Sequence, residues 1–167
     1  MDEPLKFDGR PDIFVAPGGA RGEPGPRRRG METAPQGVVR KPLVKILMVE
    51  DEPDIQAVAR MALESVGGFQ VEVCNSGREA LDRILGCAPD LILMDVMMPE
   101  LDGPSTLLAL RSDPATARHP VIFMTAKVQT HEVARYKEIG ALGVIAKPFD
   151  PMTLASTIRS LWEQDDA

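Results

Sequence analysis

The chain has 167 residues, 44% of them hydrophobic, and a formal net charge of −6. That length buries one sizeable core with extensions but not two full domains. The acidic balance excludes a general affinity for nucleic acid, and two cysteines are too few for a disulfide framework or a zinc site.

The charge is unevenly spread. Residues 1–41 carry eight Lys/Arg and six Asp/Glu, whereas residues 42–167 carry eleven and nineteen. Residues 1–42 also hold seven of the fifteen Pro and seven of the fourteen Gly, with no period of 2 or 3.6. Such a segment buries too little to offset its ordering entropy, so a disordered tail over 1–42 is expected. Within it, Arg27-Arg28-Arg29 reads more simply as a solvated basic patch than as an arm for an acidic partner, and Met31 offers a second start. The longest apolar run near the N-terminus is Ile13–Ala16, which is no signal peptide. No stretch approaches the roughly 20 apolar residues of a membrane span. A soluble cytoplasmic protein is expected, with Cys74 and Cys87 as packing groups.

The texture changes at Lys45. Lys45–Val49 is a run for a buried strand, ending on Glu50-Asp51-Glu52. Pro53 suits a first helical turn with an acidic cap before it. Ile55, Val58, Ala59, Ala62, Leu63 and Val66 carry that helix to a stop at Gly67-Gly68. Phe69–Cys74 alternates like a half-exposed edge strand. Ser76 caps a helix running through Ala80, Leu81, Ile84 and Leu85 to Gly86. Leu91-Ile92-Leu93-Met94-Asp95 then forms the most apolar strand, buried on both faces, with Val96–Pro99 and Asp102-Gly103 turning the chain away. A helix from about Pro104 to Arg111 is expected to turn Leu107, Leu108 and Leu110 inward. Pro120–Thr125 is another buried strand, followed by a polar helix over about Thr130–Ile139. Gly143–Lys147 is the fifth strand, and a last helix spans about Pro151–Trp162 with Leu154, Ile158 and Leu161 on one face.

Five strands alternating with five helices specify an α/β fold with a parallel sheet and right-handed crossovers. The flavodoxin-like doubly wound order 2-1-3-4-5 fits best, over a domain at about 43–164. In that order Glu50/Asp51, Asp95, Thr125 and Lys147 all end strands at one sheet edge, where such folds place ligands. Carboxylates gathered there without Cys or His suit Mg²⁺. A lysine and a hydroxyl beside them suit phosphate oxygens, so the set fits phosphoryl transfer to a carboxylate. Taken singly, each residue has a plainer reading: Glu50, Asp51 and Glu52 as helix-capping acids, Asp95 as a turn residue, Thr125 as a cap, Lys147 as a surface charge. Their coincidence at matching strand ends favours the site. His119 and His131 stand alone and are read as solvated.

Residues 44–163 resemble the receiver domain of two-component response regulators. The resemblance rests on Leu47-Met48-Val49-Glu50-Asp51-Glu52, Leu91–Pro99 with Asp102-Gly103, Met124-Thr125-Ala126 and Lys147-Pro148-Phe149. It implies that Asp95 accepts a phosphoryl group from a histidine kinase or histidine phosphotransfer protein. It further implies Mg²⁺ held by Asp51, Asp95 and the Met97 carbonyl, with Glu50 acting through water. Lys147, Thr125 and the Ala126 backbone N–H would contact the phosphoryl oxygens, and a cis peptide is expected at Lys147-Pro148. Two positions depart from the family's habit. Val144 stands where an aromatic often moves with the threonine on activation, and Glu50 stands where many members have Asp.

The resulting expectation is a stand-alone receiver of a phosphorelay that catalyses only its own phosphotransfer and dephosphorylation. It signals through a downstream protein target, without direct DNA or membrane binding. Two other classes fit the sequence less well. An aspartyl-phosphate phosphatase of the haloacid-dehalogenase type usually has a second Asp two residues after its nucleophile, where this chain has Met97. A pseudo-receiver scaffold is disfavoured by the intact Asp51, Asp95, Thr125 and Lys147.

Overall fold

Residues 41–165 are described by a computed structural model of the chain, and residues 1–40 of the tail expected to be disordered lie outside them. Strands β1 (Lys45–Val49), β2 (Gln70–Cys74), β3 (Leu91–Asp95), β4 (Val121–Thr125) and β5 (Gly143–Ala146) alternate with helices. The helices are α1 (Pro53–Met61), α2 (Gly77–Cys87), α3 (Gly103–Ser112), α4 (Thr130–Glu138) and α5 (Leu154–Gln164). The sheet is parallel throughout, in the order β2-β1-β3-β4-β5. This is the flavodoxin-like arrangement that the alternation of elements predicts.

The apolar runs explain the layering. Successive side chains in a strand point to opposite faces, so a strand covered on both sides must be apolar at every position. Every residue of β3 and β4 is buried accordingly. Leu47, Val49, Ile92, Met94 and Phe123 face one layer with Ala80, Ile84, Leu107, Leu110 and Tyr136 of α2, α3 and α4. Ile46, Met48, Leu91, Leu93, Ile122 and Met124 face the other, with Ala59, Leu63, Leu154 and Ile158 of the first and last helices. Cys74 and Cys87 are free thiols within the first layer, and burial pushes Cys74 up to about 11, in keeping with packing rather than redox use.

Several local expectations are corrected. The first helix does not end as an α-helix: Ala62–Val66 is π-helical, with the Gly67 N–H reaching back to the Ala62 carbonyl at 3.1 Å. Gly67 is needed there because a Cβ would stand 2.6 Å from the Leu63 carbonyl oxygen and 2.8 Å from Ala155 Cβ on α5. Leu108, expected to face inward, is exposed, and so are Val58, Val66 and Leu85 from the apolar positions of the first two helices, since the helices carry wider apolar stripes than the sheet covers. Glu52 is the N-cap of α1 but makes no side-chain capping bond. Ser76 does cap α2, accepting from the Glu79 N–H at 3.1 Å. The last helix starts at Leu154 rather than Pro151, because Asp150 organises a turn first: its carbonyl accepts from the Thr153 and Leu154 N–H groups. His131 is exposed as expected, whereas His119 is half-buried with its Nδ1 3.2 Å from the Thr116 carbonyl.

Candidate functional site

Register delivers the charged strand ends to one edge. Val49 pairs with Met94, Asp95 with Met124 and Thr125 with Ala146, so each strand stops level with its neighbour. Beyond those ends lie the carboxylates. One oxygen from each of Glu50, Asp51, Glu52 and Asp95 can lie within 4.8 Å of the others. Glu50 is fully buried and Asp95 is 2% exposed. Charges so placed demand partners.

Among the described residues, Lys147 is the cation that pairs with these acids. Its Nζ lies 2.7 Å from Glu50 Oε2 and 3.1 Å from Asp95 Oδ2. Glu50 Oε1 accepts from the Glu52 N–H at 3.1 Å, and Asp95 Oδ1 accepts from the Met97 N–H at 3.2 Å. Burial raises the Glu50 pKa, with Asp95 adding to the effect, and this outweighs the pull of Lys147 and the Glu52 N–H. For Lys147, burial alone would lower the pKa, but the bonds and charges of Glu50 and Asp95 prevail and raise it. One lysine balances only part of this negative charge.

The residue left over is Asp51. Its Oδ1 is buried and has no hydrogen-bond partner. An orphaned carboxylate oxygen beside three further acids is costly unless a cation completes it. The donor set is all oxygen, which suits a hard divalent ion such as Mg²⁺ and does not suit zinc or copper. The acids therefore fit the metal that the sequence implies.

The remaining site residues fall into place around this cluster. Thr125 is 1% exposed, and its Oγ1 accepts from the Lys127 N–H at 3.1 Å. It is not the cap of α4, whose N-cap is Gln129. Ala126 is exposed at the head of the following loop, and the Lys147 N–H donates to the Thr125 carbonyl at 2.9 Å. The Lys147-Pro148 peptide is cis, as expected. Met97 is 65% exposed beside Asp95.

The β3–α3 turn is held close by Gly103, where a Cβ would meet the Asp95 carbonyl oxygen at 2.6 Å. Any larger residue there would push the acceptor strand away. Asp102 caps α3 through Oδ1 to the Ser105 N–H at 2.8 Å.

Three features were not legible as site features in the sequence. Glu52 joins the acid cluster instead of capping its helix. Gln56 donates through Nε2 to the Glu50 carbonyl and, at 2.9 Å, to Asn75 Oδ1. An apolar cavity of about 440 Å³ lies alongside, lined by Ile55, Val58, Ala126, Pro148 and Phe149 with Asp54 and Lys147 at its edge. The only sequence signal for Gln56 is a polar residue one turn into α1, which is common on any exposed helix.

Comparison with known proteins bears directly on this geometry. Residues 46–159 match the family model of the response regulator receiver domain. The response regulator Rre1 of Synechocystis sp. is 33% identical over 124 residues, covering 74% of this chain and 54% of that protein. The transcriptional regulatory protein CpxR of Escherichia coli is 38% identical over 117 residues, covering 70% and 48%. This chain thus spans about half the length of the curated relatives it matches. A solved structure, the chemotaxis response regulator CheY4 of Vibrio cholerae, superposes with a TM-score of 0.66 at 30% identity, covering 72% of this chain and 99% of that one. Parallel order, acid cluster and matched sequence agree, and the chain belongs to the response regulator receiver domain family.

Proposed function

We propose that the chain is a phosphoacceptor receiver in which Asp95 takes a phosphoryl group from a phosphohistidine of a histidine kinase or phosphotransfer protein. The observation that carries this reading is Asp95 itself: a nearly buried carboxylate at the end of the central strand, 3.1 Å from Lys147 and grouped with acids whose charge that lysine balances only in part. A carboxylate oxygen of Asp95 attacks phosphorus. The P–O bond forms as the P–N bond breaks, and the electron pair returns to the imidazole nitrogen, which takes a proton.

Each neighbour has a part. Asp51, Asp95 and the Met97 carbonyl would hold Mg²⁺, with Glu50 acting through water. When bound, the ion supplies positive charge to the acids and to the incoming phosphoryl oxygens. Lys147 turns its ammonium to those oxygens, Thr125 offers its hydroxyl and Ala126 its backbone N–H. The protein's chemistry is then confined to its own phosphotransfer and dephosphorylation, and its output is phosphorylation-dependent binding of a protein target in the cytoplasm. The acidic charge of residues 42–167 supports a protein surface over a nucleic-acid one. Among the described residues, no helix is long and apolar enough to cross a membrane.

Incubation with acetyl phosphate and Mg²⁺, followed by intact mass measurement, tests the assignment. One phosphate is expected on the wild type and none on Asp95→Asn. Labelling that persists in that variant would assign the acceptor elsewhere.

A further inference from the structure

Asp51 is the acid with an orphaned oxygen, so no hydrogen bond to that oxygen among the described residues holds it in the cluster. What lies next to it is a fixed peptide. The Glu50–Asp51 peptide carbonyl belongs to Glu50, and that oxygen accepts from Gln56 Nε2. The second hydrogen of the same amide goes to Asn75 Oδ1 at 2.9 Å. A primary amide has two N–H donors, and both are used here.

Asn75 is itself held. Its backbone N–H donates to Glu79 Oε2 at 2.7 Å and its side-chain amide donates to the same oxygen at 3.2 Å. Glu79 in turn is paired with Arg83 at 2.9 Å. Gln56 therefore ties the peptide that leads into Asp51 to the β2–α2 loop and, through it, to the first turns of α2.

We infer that Gln56 is a positioning residue for the divalent cation, holding the Glu50–Asp51 peptide so that the Asp51 carboxylate stays aimed at its neighbours before the ion arrives. The inference rests on the proposed Mg²⁺-dependent receiver reading. The physical need is specific. Acids crowded within 4.8 Å repel one another, and Asp51 sits on a loop that could rotate its charge outward to solvent. Restraining the peptide beforehand removes part of the ordering that cation binding must otherwise supply. Neither of these hydrogen bonds goes to a side chain of the acid cluster, so Gln56 acts there through the backbone carbonyl of Glu50.

The test is the shift in melting temperature on adding Mg²⁺ to the full chain, with the dissociation constant measured by calorimetry. Gln56→Leu keeps bulk and removes both donors. Gln56→Ala does so with the strongest helix former, which safeguards folding. Both are expected to bind Mg²⁺ five- to tenfold more weakly and to show a smaller Mg²⁺-induced shift. Asn75→Ala retains the bond to the Glu50 carbonyl and should fall between them and the wild type. A purely structural role would lower the melting temperature equally with and without Mg²⁺ and leave the dissociation constant alone. Mg²⁺ affinity within twofold of wild type in both Gln56 variants overturns the inference. Absence of Mg²⁺ binding in the wild type would instead overturn the receiver reading on which it rests.

Discussion

The two edges of the sheet are built to opposite rules. At the N-terminal edge, polar groups close on one another. The Asp90 carboxylate accepts from the Val44 and Lys45 N–H groups at 3.0 and 2.9 Å and pairs with Lys41 at 2.8 Å. Arg111 donates to the carbonyls of Ala117, His119 and Gly140 at 3.0, 2.8 and 2.9 Å, pinning α3, the approach to β4 and the α4–β5 turn together. At the C-terminal edge, among the described residues, the acids outnumber the one lysine paired with them, and Asp51 Oδ1 has no hydrogen-bond partner. One edge is complete by itself and serves stability. The other is left with negative charge that its own groups do not balance.

Substitutions at the two edges should therefore move stability in opposite directions. The largest effect is expected from Arg111→Ala, which strips a donor from three backbone carbonyls at once. Leaving partly buried carbonyls unpaired should cost about 2 kcal/mol, seen as a drop in melting temperature of about 8 °C. Phosphorylation by acetyl phosphate should be nearly unaffected. A loss of acceptor activity with an unchanged melting temperature would erase the contrast between the edges.

Next in size is the lifetime of the phosphorylated form. Met97 and Lys127 are exposed, two residues after Asp95 and Thr125 respectively. Met97 offers no strong hydrogen bond, and Lys127 offers donors but no acceptor to orient an attacking water. The wild-type phosphate should thus be long-lived. Met97→Asn with Lys127→Glu should speed its loss about tenfold, equivalent to roughly 1.4 kcal/mol in the barrier. The check is the decay of phosphorylated protein after the donor is removed, and equal decay would place the control of water elsewhere.

Smaller again is Asp51→Asn measured without Mg²⁺. Removing an unpartnered charge from a cluster of acids should raise stability by about 1 kcal/mol, and the stabilisation by added Mg²⁺ should vanish. A destabilised variant would mean that Asp51 is satisfied in solution by itself.

The finest distinction is in pH dependence. Burial works against the Asp90 charge, but Lys41 and the Lys45 and Val44 N–H groups outweigh it and hold its pKa below the usual carboxylate value. A depressed folded pKa contributes stability above the unfolded carboxylate pKa and loses it as pH falls through the folded one. Glu50 has the opposite sign. Its raised pKa favours folding most below the unfolded value, and that advantage is lost as pH rises through the folded one. Urea titrations of wild type and Asp90→Ala should therefore differ at neutral pH and converge in strong acid. A gap that widens on acidification would reverse the assignment.

Much of this molecule was legible in one dimension. Runs such as Leu91–Met94 and Val121–Met124 can only be strands covered on both faces, because nothing else buries every side chain of so short a segment. With helices between them, the parallel sheet and the convergence of Glu50, Asp51, Asp95, Thr125 and Lys147 at one edge followed from connectivity alone. Side-chain choices were not so determined. Glu52 has the identity and place of a helix cap, yet its carboxylate stands with the cluster and makes no cap bond. Leu85 and Leu108 have apolar identity but lie beyond the reach of the sheet. Gln56, Asn75 and Arg111 look like ordinary polar residues on helices and loops. Sequence pattern encodes which residues leave water, since burial is a property of each residue's period. Which polar atoms meet depends on distances between segments far apart in the chain, and only the packed tertiary structure decides those.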